Sequence, residues 1–214
     1  MIQTEVQADS VLPVNKESVM DKRIVLASQS PRRKDIISMV IPEFDIIVDN
    51  SEEIVEDGRS PEETVRCLAM QKALNVSDRV EGNALVIGAD TIVGIDGEIF
   101  GKPENEADAK RMLKKLSGKE SIVCTGFAVI DTETGKAFCD AEVTHVCFRD
   151  ITDEEIDAYI KTKEPMDKAG AYALQGIGGL FINGIRGDYF NVVGLPLCAL
   201  SQVLSREFDY KILK

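Results

Sequence analysis

Apolar residues along this chain follow two rhythms, unbroken runs of four to seven and stripes at spacings of three and four. The run Arg23–Ser28 predicts a short buried strand, and Phe44–Val48 predicts a second. Ala84–Ala89 is apolar throughout, as expected of a central strand covered on both faces. Asp96-Gly97 marks a tight hairpin. Ser121–Asp131 and Lys136–Phe148 predict two long strands joined by a turn at Thr132–Gly135. The second alternates, with Val143, His145 and Cys147 on one face and Thr144, Val146 and Phe148 on the other. Tyr189–Val193 predicts a further strand.

Helix starts are signalled by their caps. Ser30-Pro31 places a serine at the N-cap and proline at the first helical position. Ser60-Pro61-Glu62-Glu63 is a capping box opening a helix of about 16 residues, and Thr152 with Glu155 forms another. Helices are also expected over Glu106–Leu116 and Leu195–Arg206, with a Gly-rich, turn-prone segment from Gly170 to Gly187. Strands alternating with helices predict an α/β fold with a mixed sheet. Residues 1–21 show no periodicity and read as a poorly ordered extension; residues 22–214 read as one domain.

Composition narrows the function. The 214 residues carry a net charge of −12, which argues against nonspecific nucleic-acid binding but leaves room for a local cluster of cations. No run approaches the roughly 18 apolar residues of a membrane span, and residues 1–22 lack the apolar core of a signal peptide, so a cytoplasmic protein is expected. The five cysteines are scattered without a C-x-x-C pair and are expected to behave as small buried hydrophobes. His145 is the only histidine, which removes any multi-His metal site; a packed or hydrogen-bonded histidine is expected. Tyr172 and Tyr189 are expected to pack in the core rather than stack on a ligand.

Several residues break the local rules. A helix N-terminus bears about half a positive charge and favours acids, yet Arg32, Arg33 and Lys34 occupy the first turn after Ser28-Gln29-Ser30-Pro31. Either these side chains swing to solvent or acidic partners, or an anion such as phosphate docks there. On the helix after Ser60 the apolar stripe Val65, Leu68, Ala69, Val76 is interrupted by Lys72, which either snorkels to the rim or serves a buried anion. Asp90 ends the run Leu85–Ala89, where open α/β sheets place ligands; it reads as a metal- or water-binding carboxylate or as a turn cap. Lys102 adds a cation beside Pro103. No Walker pattern and no G-x-G-x-x-G after a strand is present. Together the set suits a polyphosphate with its divalent ion.

Four segments, in order, resemble the Maf family, also called septum formation inhibitor Maf. They are Leu26-Ala27-Ser28-Gln29-Ser30-Pro31-Arg32-Arg33, Gly88-Ala89-Asp90-Thr91, Phe100-Gly101-Lys102-Pro103 and Asp167-Lys168-Ala169-Gly170-Ala171-Tyr172-Ala173-Leu174-Gln175-Gly176. The resemblance implies an elongated mixed β-sheet flanked by helices, two-lobed with a central cleft and similar to inosine triphosphatases. It implies a pyrophosphatase cleaving nucleoside triphosphates to monophosphate and pyrophosphate, with Mg²⁺ or Mn²⁺ as cofactor. Asp90 matches the family's catalytic acid residue, and Asp90 with Glu53 the positions associated with metal. Ser28, Arg32, Arg33, Lys72 and Lys102 match substrate-binding positions, while Arg32, Thr91 and Gln175 match positions linked to substrate choice. The last segment is similar to the subgroup acting on dTTP and UTP, in a house-cleaning role; a 7-methyl-GTP-type enzyme or a nucleotide-binding division regulator are the alternatives. Homodimers are common in the family.

Overall fold

The computed structural model describes residues 22–48, 50–51, 53–54 and 58–213. The expected extension over residues 1–21 lies outside the described residues. One seven-stranded sheet organises the chain, in the order β2-β1-β3-β5-β6-β7 with β4 paired to β3. The strands are β1 (Arg23–Ala27), β2 (Asp45–Ile46), β3 (Ala84–Ile95), β4 (Glu98–Phe100), β5 (Glu120–Asp131), β6 (Ala137–Phe148) and β7 (Ile182–Arg186). β1 runs parallel to β2 and β3, and the remaining pairs are antiparallel, so the sheet is mixed as expected. The helices are α1 (Pro31–Ser38), α2 (Pro61–Ser77), α3 (Glu106–Leu116), α4 (Asp153–Lys161), α5 (Tyr189–Val193) and α6 (Leu197–Phe208). No helix among the described residues is long and apolar enough to cross a membrane.

β3 and β5 each span twelve residues and run through two cores. Around their paired ends at Leu85 and Asp131, Leu85, Ile87, Phe127 and Val129 pack beneath α1 and α6, while Val86 and Ala128 pack beneath α2 on the opposite face. Beyond them, Val93, Phe100, Val123 and Phe148 pack with α3 and α4. The cleft lies between these two cores.

Glycine sets how closely α2 approaches the sheet. A Cβ on Gly88 would stand 2.3 Å from the Ala69 carbonyl oxygen, and one on Gly126 would stand 2.2 Å from that of Val65. Only hydrogen at both positions lets the helix backbone rest directly on β3 and β5. Ser60 and Thr152 complete their predicted capping boxes, each accepting from the third helical amide while that residue's carboxylate accepts from the cap. Asp96 and Gly97 have φ of 50° and 77°, the paired left-handed turn the hairpin requires.

Some expectations are corrected. Tyr189–Val193 is helix, not strand: the Asp188 side chain accepts from the amides of Phe190 and Asn191 and starts a turn, which a five-residue apolar run does not preclude. β2 is only two residues long. The Gly-rich segment, read as too turn-prone for a long helix, also contains β7, held by pairing with β6. Only Cys124 is buried; Cys67, Cys139 and Cys147 are partly buried and Cys198 is exposed, so burial among apolar sequence neighbours did not extend to the whole set. Tyr172 is buried against Phe148 as expected, but Tyr189 is exposed, resting edge-on to Phe190. His145 is hydrogen-bonded, its Nδ1 2.9 Å from Glu120 Oε1.

Candidate functional site

One edge of β3 explains how scattered residues meet. β1 pairs with β3 as far as Gly88, and β4 pairs with it from Val93 onward. Ala89–Ile92 are therefore flanked on that edge by neither strand, and a cavity of about 790 Å³ opens there. Successive side chains of a strand point to opposite faces, yet at an open edge both faces reach the same space. Asp90 enters from the α2 side and Thr91 from the other, and both line the cavity. Asp90 is thus neither at the end of its strand nor a turn cap, because β3 continues to Ile95. The strand end at the cleft belongs to β1, and Ser28 follows it.

Lys72 reaches the cleft because α2 lies against Gly88 and Gly126. Its ammonium is 2.5 Å from Asp90 Oδ1 and 2.9 Å from Glu53 Oε1, so it neither snorkels to solvent nor lies idle in the core. Asp90 and Lys72 are largely buried, whereas Glu53 is half exposed. Asp90 Oδ2 has no hydrogen-bond partner among the described residues.

Arg33 is held by neutral oxygens. Its Nε donates to the Gly194 carbonyl at 2.8 Å, Nη1 to Ser28 Oγ at 3.2 Å and Nη2 to Thr91 Oγ1 at 3.0 Å. Thr91 Oγ1 is 3.0 Å from Thr125 Oγ1, which donates to the Asn191 carbonyl at 2.9 Å. These bonds fix the guanidinium without neutralising it. Burial lowers the Arg33 pKa from its usual value, opposed by Asp90, reinforced by Arg32 and opposed again by Glu53. An arginine stays cationic under such a shift. Ser30 occupies the N-cap of α1 as predicted, but its side chain makes no capping bond and no acid sits in the first turn, so that helix start is left without an anionic partner of its own.

The remaining predicted residues line the same cavity. Arg32 pairs loosely with Asp167 at 3.6 Å. Lys102 is exposed and has no ion-pair partner among the described residues. Gln175 is exposed on the facing loop. All the predicted positions, Ser28, Arg32, Arg33, Glu53, Lys72, Asp90, Thr91, Lys102 and Gln175, are therefore brought together. Lys168 was missed as a site residue although it stands in a quoted motif: Gly170 donates its amide to the Gly101 carbonyl at 3.0 Å, which draws the Lys168 segment to Lys102. Arg59 also lines the cleft, and spacing alone offered no signal for it. Among the described residues the lining holds six cations, Arg32, Arg33, Arg59, Lys72, Lys102 and Lys168, and three carboxylates, Glu53, Asp90 and Asp167. These cations gather in a protein of net charge −12.

The model of the family described as Maf-like protein matches residues 23–207. The chain belongs to this family. A dTTP/UTP pyrophosphatase of Alkaliphilus oremlandii (strain OhILAs) is 50% identical over 192 residues, covering 90% of this chain and 100% of that protein. A dTTP/UTP pyrophosphatase of Thermococcus kodakarensis (strain ATCC BAA-918 / JCM 12380 / KOD1) is 50% identical over 186 residues, covering 87% and 97%. Among solved structures, a HAM1 protein from Coxiella burnetii overlaps 86% of this chain and 98% of its own, with 15% identity and a TM-score of 0.46. The structural likeness is slight at that score, and the mixed α/β character of this Maf-like chain rests on its own strand order.

Proposed function

We propose that this chain hydrolyses pyrimidine nucleoside triphosphates, dTTP and UTP foremost, to the monophosphate and pyrophosphate. The observation that supports it most is the gathering of Arg32, Arg33, Lys72, Lys102 and Lys168 around Asp90 in an otherwise acidic protein. Phosphoryl transfer asks a protein mainly to place its substrate and offset charge on transferring and leaving oxygens. Arg33, pre-set by three neutral acceptors, is arranged to grip phosphate oxygens with a fixed fork. Arg32, Lys72, Lys102 and Lys168 surround the rest of a polyphosphate tail. The names of the two relatives above favour dTTP and UTP as substrates.

Asp90 Oδ2 is placed to orient a water for in-line attack on the α-phosphorus and to accept its proton. Lys72 holds the other carboxylate oxygen, so Asp90 presents one acceptor in a defined direction. Among the described residues no group of three His, Cys, Asp or Glu side chains gathers as a metal cluster. Asp90 and Glu53 nonetheless converge on one ammonium, and one or two carboxylates with substrate phosphates are the donor set Mg²⁺ commonly takes. A divalent ion held by Asp90 and Glu53 would supply charge neutralisation across the phosphates. We place the enzyme in the cytoplasm, in removal of unwanted nucleotides.

The test is pyrophosphate release from UTP, dTTP, CTP, GTP and 7-methyl-GTP, with Mg²⁺ or Mn²⁺ and with chelator. UTP and dTTP are expected to lead, with activity lost on chelation and regained with either ion. A lead by 7-methyl-GTP overturns the pyrimidine assignment. Release from none of them, with nucleotide still bound, overturns the enzyme in favour of a nucleotide-binding regulator.

A further inference from the structure

Gln175 sits on a loop, Ala173–Gly178, whose two ends are tied to one pair, buried Tyr159 and partly buried Glu164. The Ala173 amide donates to the Tyr159 hydroxyl oxygen at 3.1 Å, and that hydroxyl donates to Glu164 Oε1 at 2.8 Å. Past Gln175, the Gly178 amide donates to Glu164 Oε1 at 3.0 Å and the Ile177 amide to Glu164 Oε2 at 3.1 Å. Tyr159 is buried on α4, its ring edge-on to Phe181 with centroids 5.1 Å apart. The anchor is therefore part of the core while the tethered loop is at the cleft.

Glycines allow the carboxylate this seat. Gly176 has φ of +157°, and a Cβ there would lie 2.6 Å from Glu164 Oε2; one on Gly178 would lie 2.6 Å from the Tyr159 hydroxyl. Gln175 itself spends no side-chain hydrogen bond on the protein among the described residues, and it faces the cavity. Burial raises the Glu164 pKa, but the amides of Gly178 and Ile177 and the Tyr159 hydroxyl outweigh it and leave the group below its ordinary value, as a carboxylate.

We infer that the Tyr159–Glu164 pair is a positioning device that sets where the Gln175 amide meets the nucleotide base, and so holds the preference for pyrimidines. This rests on the proposed hydrolysis of pyrimidine triphosphates and on Gln175 reading the base, the role that its match to a family position linked to substrate choice implies. A primary amide offers one acceptor and two donors, and it distinguishes base edges only if its backbone is held. A loop loosened by one lost tether still binds, but without a preferred edge.

Tyr159→Phe removes the hydroxyl that links both ends; Glu164→Gln keeps the shape and loses an acceptor for the Ile177 amide. Three readouts are taken on each variant: the UTP to GTP ratio of kcat/KM, hydrogen exchange at the amides of residues 173, 177 and 178, and the melting temperature. We expect the ratio to fall roughly tenfold, chiefly through KM for UTP, with faster exchange at those amides. In a Gln175→Ala background, where the ratio has already fallen, Tyr159→Phe should lower it no further. A ratio that stays unchanged while the melting temperature drops overturns the inference, as does undisturbed protection of the amides in Glu164→Gln. An unchanged ratio in Gln175→Ala alone shows instead that the reading of Gln175 has failed. A further fall in the double variant shows that the pair acts by another route. If Tyr159→Phe does not fold, Glu164→Gln decides alone.

Discussion

On the flank formed by α3 and α4, several cations stand against carboxylates in the open. Lys110 faces Asp157, Lys114 faces Asp153 at 2.9 Å, and Arg149 grips both oxygens of Glu155. In the cleft the arrangement differs: Lys72 is largely buried between two carboxylates, and Arg33 has hydrogen bonds but no carboxylate partner among the described residues. The residue types are the same in both regions. On the flank these pairs are exposed to water, where they contribute little. In the cleft Arg33 is immobilised by neutral oxygens and keeps its charge, which suits an anion from outside.

The largest break in that contrast is expected at Asp90. Asp90→Asn keeps the shape but removes the proton acceptor, and kcat should fall by at least about a hundredfold with little change in KM. Near-normal turnover would free Asp90 of that role. Next, Arg33→Lys retains the charge but not a fork that can bond Gly194, Ser28 and Thr91 together. Its kcat/KM for UTP should fall about tenfold or more, because a lysine cannot replace a fixed planar donor. An unchanged value would mean that charge alone suffices.

Gly126→Ala asks whether the cleft depends on helix seating. The added methyl would meet the Val65 carbonyl, so α2 must move or the sheet must yield. A loss of about 1–3 kcal/mol in chemical denaturation is expected, as for other overpacked sites, with weakened turnover as Lys72 retreats from Asp90. Full stability would show that α2 has slack. The smallest effect belongs to the flank. Arg149 first, then the Thr152 amide, lowers the Glu155 pKa from the ordinary carboxylate value to about 2. A carboxylate with a depressed folded-state pKa stabilises above its unfolded value and loses that contribution as pH falls through the folded one. The melting-temperature gap between the native chain and Glu155→Gln should thus hold above about pH 4.5 and close as pH drops towards about 2. A gap independent of pH would assign it to packing instead.

Much of this was legible in the chain alone, because local chemistry dictated it. The capping boxes at Ser60 and Thr152, the Asp96-Gly97 turn and the apolar run into β3 depend on neighbours within a few residues, and each formed where predicted. The cations of α1, Lys72 on its apolar stripe and Asp90 after its run stood out by violating local rules. Tyr189–Val193 misled because a short apolar run suits helix or strand, and Asp188 tipped the choice. β7 escaped because its residues are held by β6, far away in sequence.

Sequence alone thus determined which residues were out of place and to which family they belong. Only tertiary structure decided that they share one cleft: β1 stops at Ala27, β4 starts its pairing at Phe100, and the uncovered edge of β3 admits Asp90 and Thr91 from opposite faces. It also decided that Lys72 meets Asp90, since that distance depends on two glycines on different strands letting α2 settle onto the sheet. Periodicity reports which face a side chain takes; the gap between two strands and the height of a helix above them are set by packing between segments that spacing cannot connect.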